Sequence, residues 1–142
     1  MSQQAALKLP IAQRTALVTV DTARAVRGVD AESIIAEIED GSIRWAFNIA
    51  TADAARRELR IWAPCLGNAE HPTRNPEQVI AEIIGTQRET LRGAEVERLL
   101  LCSAQLVKLL HEGGELRGEL VGHTRHLRRD SLAAFLRRRR VG

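Results

Sequence analysis

Side chains that bind phosphate groups are concentrated near one end of the 142-residue chain. Residues 121–142 hold seven arginines and one aspartate, a net charge of +6. Residues 1–72 carry eight Lys and Arg against nine Asp and Glu, whereas residues 73–142 carry thirteen against nine. Because Lys and Arg contacts with phosphate supply much of the affinity of proteins for nucleic acids, this asymmetry favours a polyanionic partner for the second half alone.

Polar side chains that could read base edges lie just before and within the basic segment. Glutamine can pair with adenine edges, and lysine can reach guanine or a phosphate, when a helix lies in the major groove. An arginine-rich tail can enter a minor groove or follow the backbone. The candidate contacts with double-stranded DNA are Ser103, Gln105, Lys108 and His111 on a helix, His123, Thr124, Arg125, His126, Arg128 and Arg129 around a hairpin turn, and Arg137, Arg138, Arg139 and Arg140 in the tail.

Each candidate also has a plain structural explanation. Gln105 and Lys108 by themselves are typical of a solvated helix surface, and the terminal arginines could simply complement a helix dipole. His123 and His126 have the spacing of two metal ligands but lack a matching set of cysteine and carboxylate partners, so no metal is expected. DNA binding is favoured because the arginines, the hairpin and the helix occur together.

The second half predicts two helices, a hairpin and a closing helix. Apolar residues recur at helical spacing over 94–101, and Ser103 has the type and position of a cap for a helix over 104–112. Two glycines end that helix. The remaining predicted elements are a strand at 116–121, a turn at 122–125, a return strand through Leu127 and Arg128, and a last helix capped by Asp130 and Ser131.

The first half predicts a similar order of elements. Thr19 and Asp30 are the expected caps of two short helices, the second of which buries Ile34, Ile35 and Ile38. Strands are expected within 43–49 and at 59–62, and a further helix over 77–84 after Asn75 and Pro76. The predicted organisation is a flexible lead-in at 1–17, a first unit at 18–63, a proline-rich linker at 64–76 and a second unit at 77–142.

The two halves look like copies of one unit, and two alignments remain open. An offset of 73 residues places 39–44 on 112–117, and it predicts that Leu106 and Leu109 are exposed. An offset of 72 aligns the apolar faces of the second helices better.

Two segments of the second half carry a resemblance to a known family. Residues 96–116 contain a helix, a short turn and a capped second helix, and residues 121–136 contain Val-Gly, a basic turn, an apolar-Arg-Arg strand and a capped helix with Phe-Leu. They resemble the excisionase-like and MerR-like winged helix-turn-helix DNA-binding domains. The first half resembles them more faintly, at 18–23, 28–30 and 39–43. One departure is Arg117, which stands where the family usually has proline.

The resemblance implies a mainly α fold with small β-hairpins, arranged as two tandem winged helix-turn-helix units. It also implies a small non-catalytic protein that occupies and shapes a DNA site. The protein would be a transcriptional regulator or an excisionase-like accessory factor for a recombinase, with helix 103–112 in the major groove and wing 122–128 on the backbone or minor groove. The alternative is a winged-helix interaction module of the anti-activator type that does not bind DNA.

The first unit has a different charge from the second. Its second helix, residues 31–40, carries four acidic residues and no basic one, so we predict that it stays out of DNA. We expect this unit to contact protein, either a second copy or a recombinase or transcription-machinery partner. Trp45, Phe47 and Trp62 are expected in its core rather than at an interface.

Other classes of protein are disfavoured by what the residues lack. Gly113-Gly114 has no following Lys-Ser/Thr of a phosphate loop, and the sequence contains no credible nucleophile–base set, so neither an enzyme nor a cofactor is expected. Cys65 and Cys102 are expected as reduced thiols, with Cys102 filling core space. Because no apolar run approaches membrane-spanning length and no signal peptide is visible, we expect a cytoplasmic, nucleoid-associated protein.

Overall fold

The structure, a computed structural model, describes residues 16–67 and 75–141. Most of the expected lead-in at 1–17 and of the expected linker at 64–76 therefore lies outside the described residues. Within them the chain forms six α-helices and two small antiparallel sheets, which confirms the α+β class. In chain order the elements are β1 (Leu17–Thr19), α1 (Val20–Arg27), α2 (Ala31–Glu39), β2 (Ala46–Asn48), β3 (Leu59–Trp62), a 3-10 helix (Ala63–Leu66), α3 (Pro76–Ile84), β4 (Thr90–Arg92), α4 (Gly93–Leu100), α5 (Ala104–Glu112), β5 (Gly118–Val121), β6 (Thr124–Arg128), α6 (Arg129–Arg138) and β7 (Arg140–Val141).

The same order of elements occurs twice. A strand, two helices and a two-stranded hairpin give the sheet order β1-β3-β2 in the first half and β4-β6-β5 in the second. In each half the first strand pairs antiparallel with the third. A helix follows each hairpin, and these two helices, α3 and α6, pack against each other. We call β1 to α3 the first unit and β4 to α6 the second unit, so α3, expected in the second unit, is counted with the first because it follows the first hairpin.

Backbone hydrogen bonds distinguish the two alignments of the repeat. The N–H of Ile43 donates to the carbonyl of Glu37 at 2.9 Å. The N–H of Leu116, 73 residues later, donates to the carbonyl of Leu110 at 3.0 Å. The backbone therefore follows the offset of 73.

The burial of α5 is only partly what that offset predicts. Leu109 is exposed, at 44%, but the expectation for Leu106 is wrong because only 8% of it is exposed. Leu106 packs with Val107 and Leu110 into a cluster to which both units contribute. Side-chain burial in α5 is set by this neighbouring surface and not by the repeat.

The helix starts expected at four positions are confirmed, because each depends on a local hydrogen bond. The side chain of each cap accepts from a backbone N–H three residues later. The pairs are Thr19 with Thr22 at 3.1 Å, Asp30 with Ser33 at 2.8 Å, Asn75 with Gln78 at 2.9 Å, and Ser103 with Leu106 at 3.1 Å. Hydrogen bonds from the side chain and backbone of Ser33 also lower the pKa of Asp30.

The first sheet is buried on both faces. On one face Val18, Ala46 and Ile61 pack with residues of α1 and α2. On the other, Trp45, Phe47 and Trp62 join the apolar residues of α3, α4, α5 and α6. The three aromatic residues are therefore core, as expected, and the core that they enter is shared by the two units.

The start of the expected linker is packed structure. Residues 63–66 form a 3-10 helix, and Leu66 is 3% exposed. The guanidinium of Arg27 donates to the carbonyls of Leu66 at 3.2 Å and Cys65 at 3.3 Å, and to the carboxylate of Glu37 at 2.5 Å. Arg27, the last residue of α1, thus bonds both to the 3-10 helix and to α2.

Arg60 on β3 is buried, although the alternating pattern of the strand predicts a solvent-facing side chain. It is 8% exposed and points away from Leu59 and Ile61, towards the second unit. Its guanidinium donates to the carbonyl of Leu100 at 2.8 Å and to that of Leu101 at 2.7 Å. These carbonyls lie at the C-terminus of α4, where no helical N–H is left to bond them. Burial lowers the pKa of Arg60 from its ordinary value.

We predict that Arg60→Met lowers the free energy of unfolding by about 2 kcal/mol, because it leaves the buried carbonyl of Leu100 and the half-buried carbonyl of Leu101 without donors. Urea unfolding followed by tryptophan fluorescence measures the change. The matched control is Arg57→Met, whose guanidinium pairs with Glu39 at 3.3 Å on the surface. That control should change the free energy by no more than about 0.5 kcal/mol. Equal effects of the two substitutions would contradict the assignment of Arg60.

Candidate nucleic-acid interface

The outward face of α5 brings together three of the expected DNA contacts. Ser103, Gln105 and Lys108 are all exposed, while Leu106 and Leu110 face the core. Among the described residues, no side chain pairs with the ammonium of Lys108 at hydrogen-bond or ion-pair distance. This half of the helix is free to meet another molecule.

The second hairpin exposes its turn and the end of β5, where Leu120 and Val121 are 54% and 59% exposed. Gly122 and His123 connect β5 to β6, and the φ of +64° at Gly122 is one that glycine adopts without strain. His123 and Thr124 are exposed there, whereas Arg125 and His126 are half-buried. The turn therefore presents His123 and Thr124 to solvent and not a cluster of arginines.

Arg125 and His111 are joined to each other rather than to solvent. The Nε of Arg125 donates to Nδ1 of His111 at 3.0 Å, and Nε2 of that histidine lies 3.2 Å from the carbonyl of Gly118. These contacts assign the histidine proton to Nε2. The guanidinium also lies 3.6 Å from Glu112, and the arginine side chain is only 20% exposed. Both residues fasten the hairpin to α5.

Arg128 and Arg129 are also engaged within the protein. Arg128 forms a two-pronged pair with Asp130, at 3.1 and 2.7 Å, which lowers the pKa of the carboxyl. Arg129 donates to the carbonyl of Arg88 at 2.6 Å. The expectation that Asp130 and Ser131 cap the last helix is wrong: α6 begins at Arg129 without a side-chain cap. Asp130 is instead drawn to the arginine before it.

The arginine tail is not a free arm. Arg137 pairs with Glu77 of α3 at 2.5 Å, and Arg138 reaches the carbonyl of Glu115 at 3.4 Å. The tail then leaves α6 and runs along the first unit. Its first two arginines thus lie against neighbouring elements of both units.

Arg139 and Arg140 enter the first sheet. Residues 140–141 form β7, which pairs antiparallel with β2. The guanidinium of Arg139 donates to the carbonyls of Asn48 and Ala50. That of Arg140 donates to Arg44 O at 3.1 and 3.2 Å and lies 3.7 Å from the ring centre of Trp45. The expectation that these side chains reach DNA rested on charge, which does not distinguish a free guanidinium from a bonded one.

A basic residue that the sequence reasoning did not select lies beside the hairpin. Arg117 lines two adjoining hollows of about 700 and 770 Å³, and it shares them with Arg128 and Asp130. It is exposed, and its guanidinium has no acidic partner among the described residues. The signal available in the sequence was that an arginine stands where the winged-helix domains that the sequence resembles usually have proline.

The exposed face of α2 is acidic, as the sequence predicts. Glu32, Glu39 and Asp40 are exposed, and hydrogen bonds from the side chain and backbone of Ser42 lower the pKa of Asp40. Glu37 is half-buried against Arg27. The helix that corresponds to α5 therefore presents negative charge.

The two cysteines are free thiols packed beside the cores. Burial raises the pKa of Cys102 to about 11, so it is protonated at neutral pH, and burial also raises the pKa of Cys65. Across residues 16–67 and 75–141, no three His, Cys, Asp or Glu side chains are grouped so as to hold a metal. The described residues also include no helix with the length and apolar character needed to cross a membrane.

Comparison with family models, with curated proteins and with solved structures found no match to this chain. The functional argument therefore depends on the geometry of α5 and the hairpin.

We predict that Gly118→Ala lowers the free energy of unfolding by about 2 kcal/mol. A methyl group there would stand 2.7 Å from the Cα of Leu127 and closer still to the carbonyl oxygen of His126 on the paired strand. Thermal unfolding measures the loss. Gly93→Ala is the control, because its methyl would meet the Cβ of Arg125 at an ordinary 3.6 Å. If Gly118→Ala is as stable as the control, the two strands are not this close.

We predict that Arg140→Ala lowers the free energy of unfolding by about 1 kcal/mol and changes the fluorescence of Trp45, because it removes the cation from the indole face. Arg138→Ala makes the same change in charge at a side chain with only a 3.4 Å contact to Glu115. That control should keep both the stability and the emission spectrum. Identical spectra for the two variants would show that the tail does not lie on Trp45.

Proposed function

We propose that this protein binds double-stranded DNA through the second unit, with α5 in the major groove and the hairpin turn at the flanking backbone. Both units have the order strand, helix, helix, hairpin, which matches a winged helix-turn-helix. We therefore include in the proposal that each unit is a winged helix-turn-helix domain. The biological role would be that of a transcriptional regulator or of an excisionase-like accessory factor in recombination.

One observation carries the proposal. The nine residues of α5 bury one face in the shared core and leave Gln105 and Lys108 exposed, with the exposed cap Ser103 directly before them. An α-helix with its side chains is about 10–12 Å across, and the major groove, about 12 Å wide, admits it. The side chains on its exposed face are of the types that contact phosphate and base edges. In α2 the matching face is acidic and would be repelled by phosphate.

The contribution of the arginines is smaller than their number suggests. The arginines at 125, 128, 129, 137, 138, 139 and 140 all bond to groups of the protein itself. Phosphate contact would come chiefly from Lys108, from Arg117 and from Arg128 if it exchanges Asp130 for phosphate. The DNA-binding surface proposed is therefore compact.

These same bonds favour a second candidate, a winged-helix interaction module of the anti-activator type that does not bind DNA. In that case the acidic face of α2 would dock a basic surface of a protein partner. Binding to duplex DNA at low salt separates the two candidates, because only the first predicts it.

We predict that the full chain binds a generic duplex and that affinity falls as salt rises, with each phosphate contact contributing about 0.9 to the logarithmic slope. Lys108→Ala should weaken binding and reduce that slope by about one, because one phosphate contact is lost. Fluorescence anisotropy at several salt concentrations measures both.

The matched control is Arg56→Ala, which also removes one exposed positive charge but lies in the first unit. It should leave the slope unchanged. Absence of binding at low salt, or equal effects of the two substitutions, would refute DNA binding by α5.

A further inference from the structure

The exposed face of α5 carries one large apolar side chain among polar ones. Leu109 is 44% exposed and belongs to neither buried cluster. Gln105 precedes Lys108 by three residues and Leu109 by four, so both side chains neighbour that of Gln105 on the exposed face of the helix. Leu109 thus lies next to Gln105, at one edge of the surface that the proposed function assigns to DNA.

The position of Leu109 holds no large apolar residue in the first unit. At the offset of 73 the equivalent residue of α2 is Ala36, which is also exposed. The position is therefore solvent-facing in both units, and a large apolar residue occupies it only where the helix carries a cation, Lys108, in place of acids. Packing of the core does not require it, because Leu106, Val107 and Leu110 supply the buried face.

The charge around Leu109 suits a DNA surface. Glu112, the acidic residue on the same face, lies 3.6 Å from the guanidinium of Arg125, which offsets its charge. The floor of the major groove presents hydrogen-bonding edges and one kind of apolar group, the C5 methyl of thymine. Glutamine and leucine on one helix face match those two features.

We propose that Leu109 reads thymine by packing against the C5 methyl, while Gln105, one turn earlier, contacts a neighbouring base. Four residues advance about 6 Å along the helix, so the two side chains address adjacent or next-but-one base steps. This inference rests on the proposed DNA binding and adds the class of base that it requires. The preferred site holds a T·A pair at one fixed position opposite Leu109.

The test begins with selection of preferred duplexes from a random library by the full chain. In the selected duplex each thymidine is then replaced, one at a time, by deoxyuridine, which lacks only the methyl group. Dissociation constants are measured by anisotropy at one salt concentration. We expect one replacement to weaken binding about fourfold, as for the loss of one buried methyl group.

A double-mutant cycle assigns the methyl contact to its side chain. Leu109→Ala should weaken binding to the thymidine duplex. The variant should then bind the deoxyuridine duplex as tightly as it binds the thymidine duplex. Leu120→Ala is the control, because Leu120 is a leucine on β5 that is 54% exposed, against 44% for Leu109. That control should still lose about fourfold on replacement of the same thymidine. Thermal unfolding should be unchanged for both variants, since both side chains are largely exposed.

Each remaining outcome has one meaning. If duplexes are selected but every deoxyuridine replacement binds alike, or if Leu109→Ala still senses the methyl group, the inference is wrong and DNA binding stands. If no duplex is enriched and none binds at low salt, the proposed function fails, and the inference fails with it.

Discussion

The first sheet has to bury both of its faces, and the rest of the molecule is arranged around that requirement. Helices α1 and α2 cover one face, and α3 together with the helices of the second unit covers the aromatic residues on the other. A shared core of this kind fixes one unit against the other. It also places Arg60 at the end of α4, where the guanidinium bonds two helix carbonyls. Since α4 precedes α5, this contact helps to set the orientation of the proposed recognition helix.

The basic residues therefore divide into two kinds. Those of the tail and of the second hairpin mostly bond to carbonyls, carboxylates or an indole ring, and Arg137, Arg139 and Arg140 join the two units. Lys108 and Arg117, which have no acidic partner among the described residues, lie on α5 and beside the hairpin. An arginine bonded to a buried or half-buried carbonyl is poorly placed to meet phosphate, because it would first have to give up that bond. The surface available for DNA is thus smaller than the net charge of the second half suggests.

Features set by neighbouring residues were predictable from the sequence. The caps at Thr19, Asp30, Asn75 and Ser103 depend on one hydrogen bond across three residues, and the exposed side chains of α5 follow from helical periodicity.

Features set by distant residues were not predictable. The burial of Arg60 and of Leu106 depends on the unit that packs against them. The pairing of β7 with β2 joins Ala46 to Val141, and no local pattern indicates it. The same limit applies to the candidate site. Residue types indicated which side chains could bind phosphate, but not which of them the protein had already bonded.

The strand pairing of β7 also has a consequence for the way the chain reaches its native state. The first sheet is complete only when residues 140–141 lie beside β2, about ninety residues upstream. Closing so long a loop costs conformational entropy and gives the first sheet a high contact order, and both slow folding. The first sheet can therefore be completed only after residues 140–141 have reached β2. Folding and unfolding are expected to be a single cooperative event, with no stage at which the acidic unit stands folded alone.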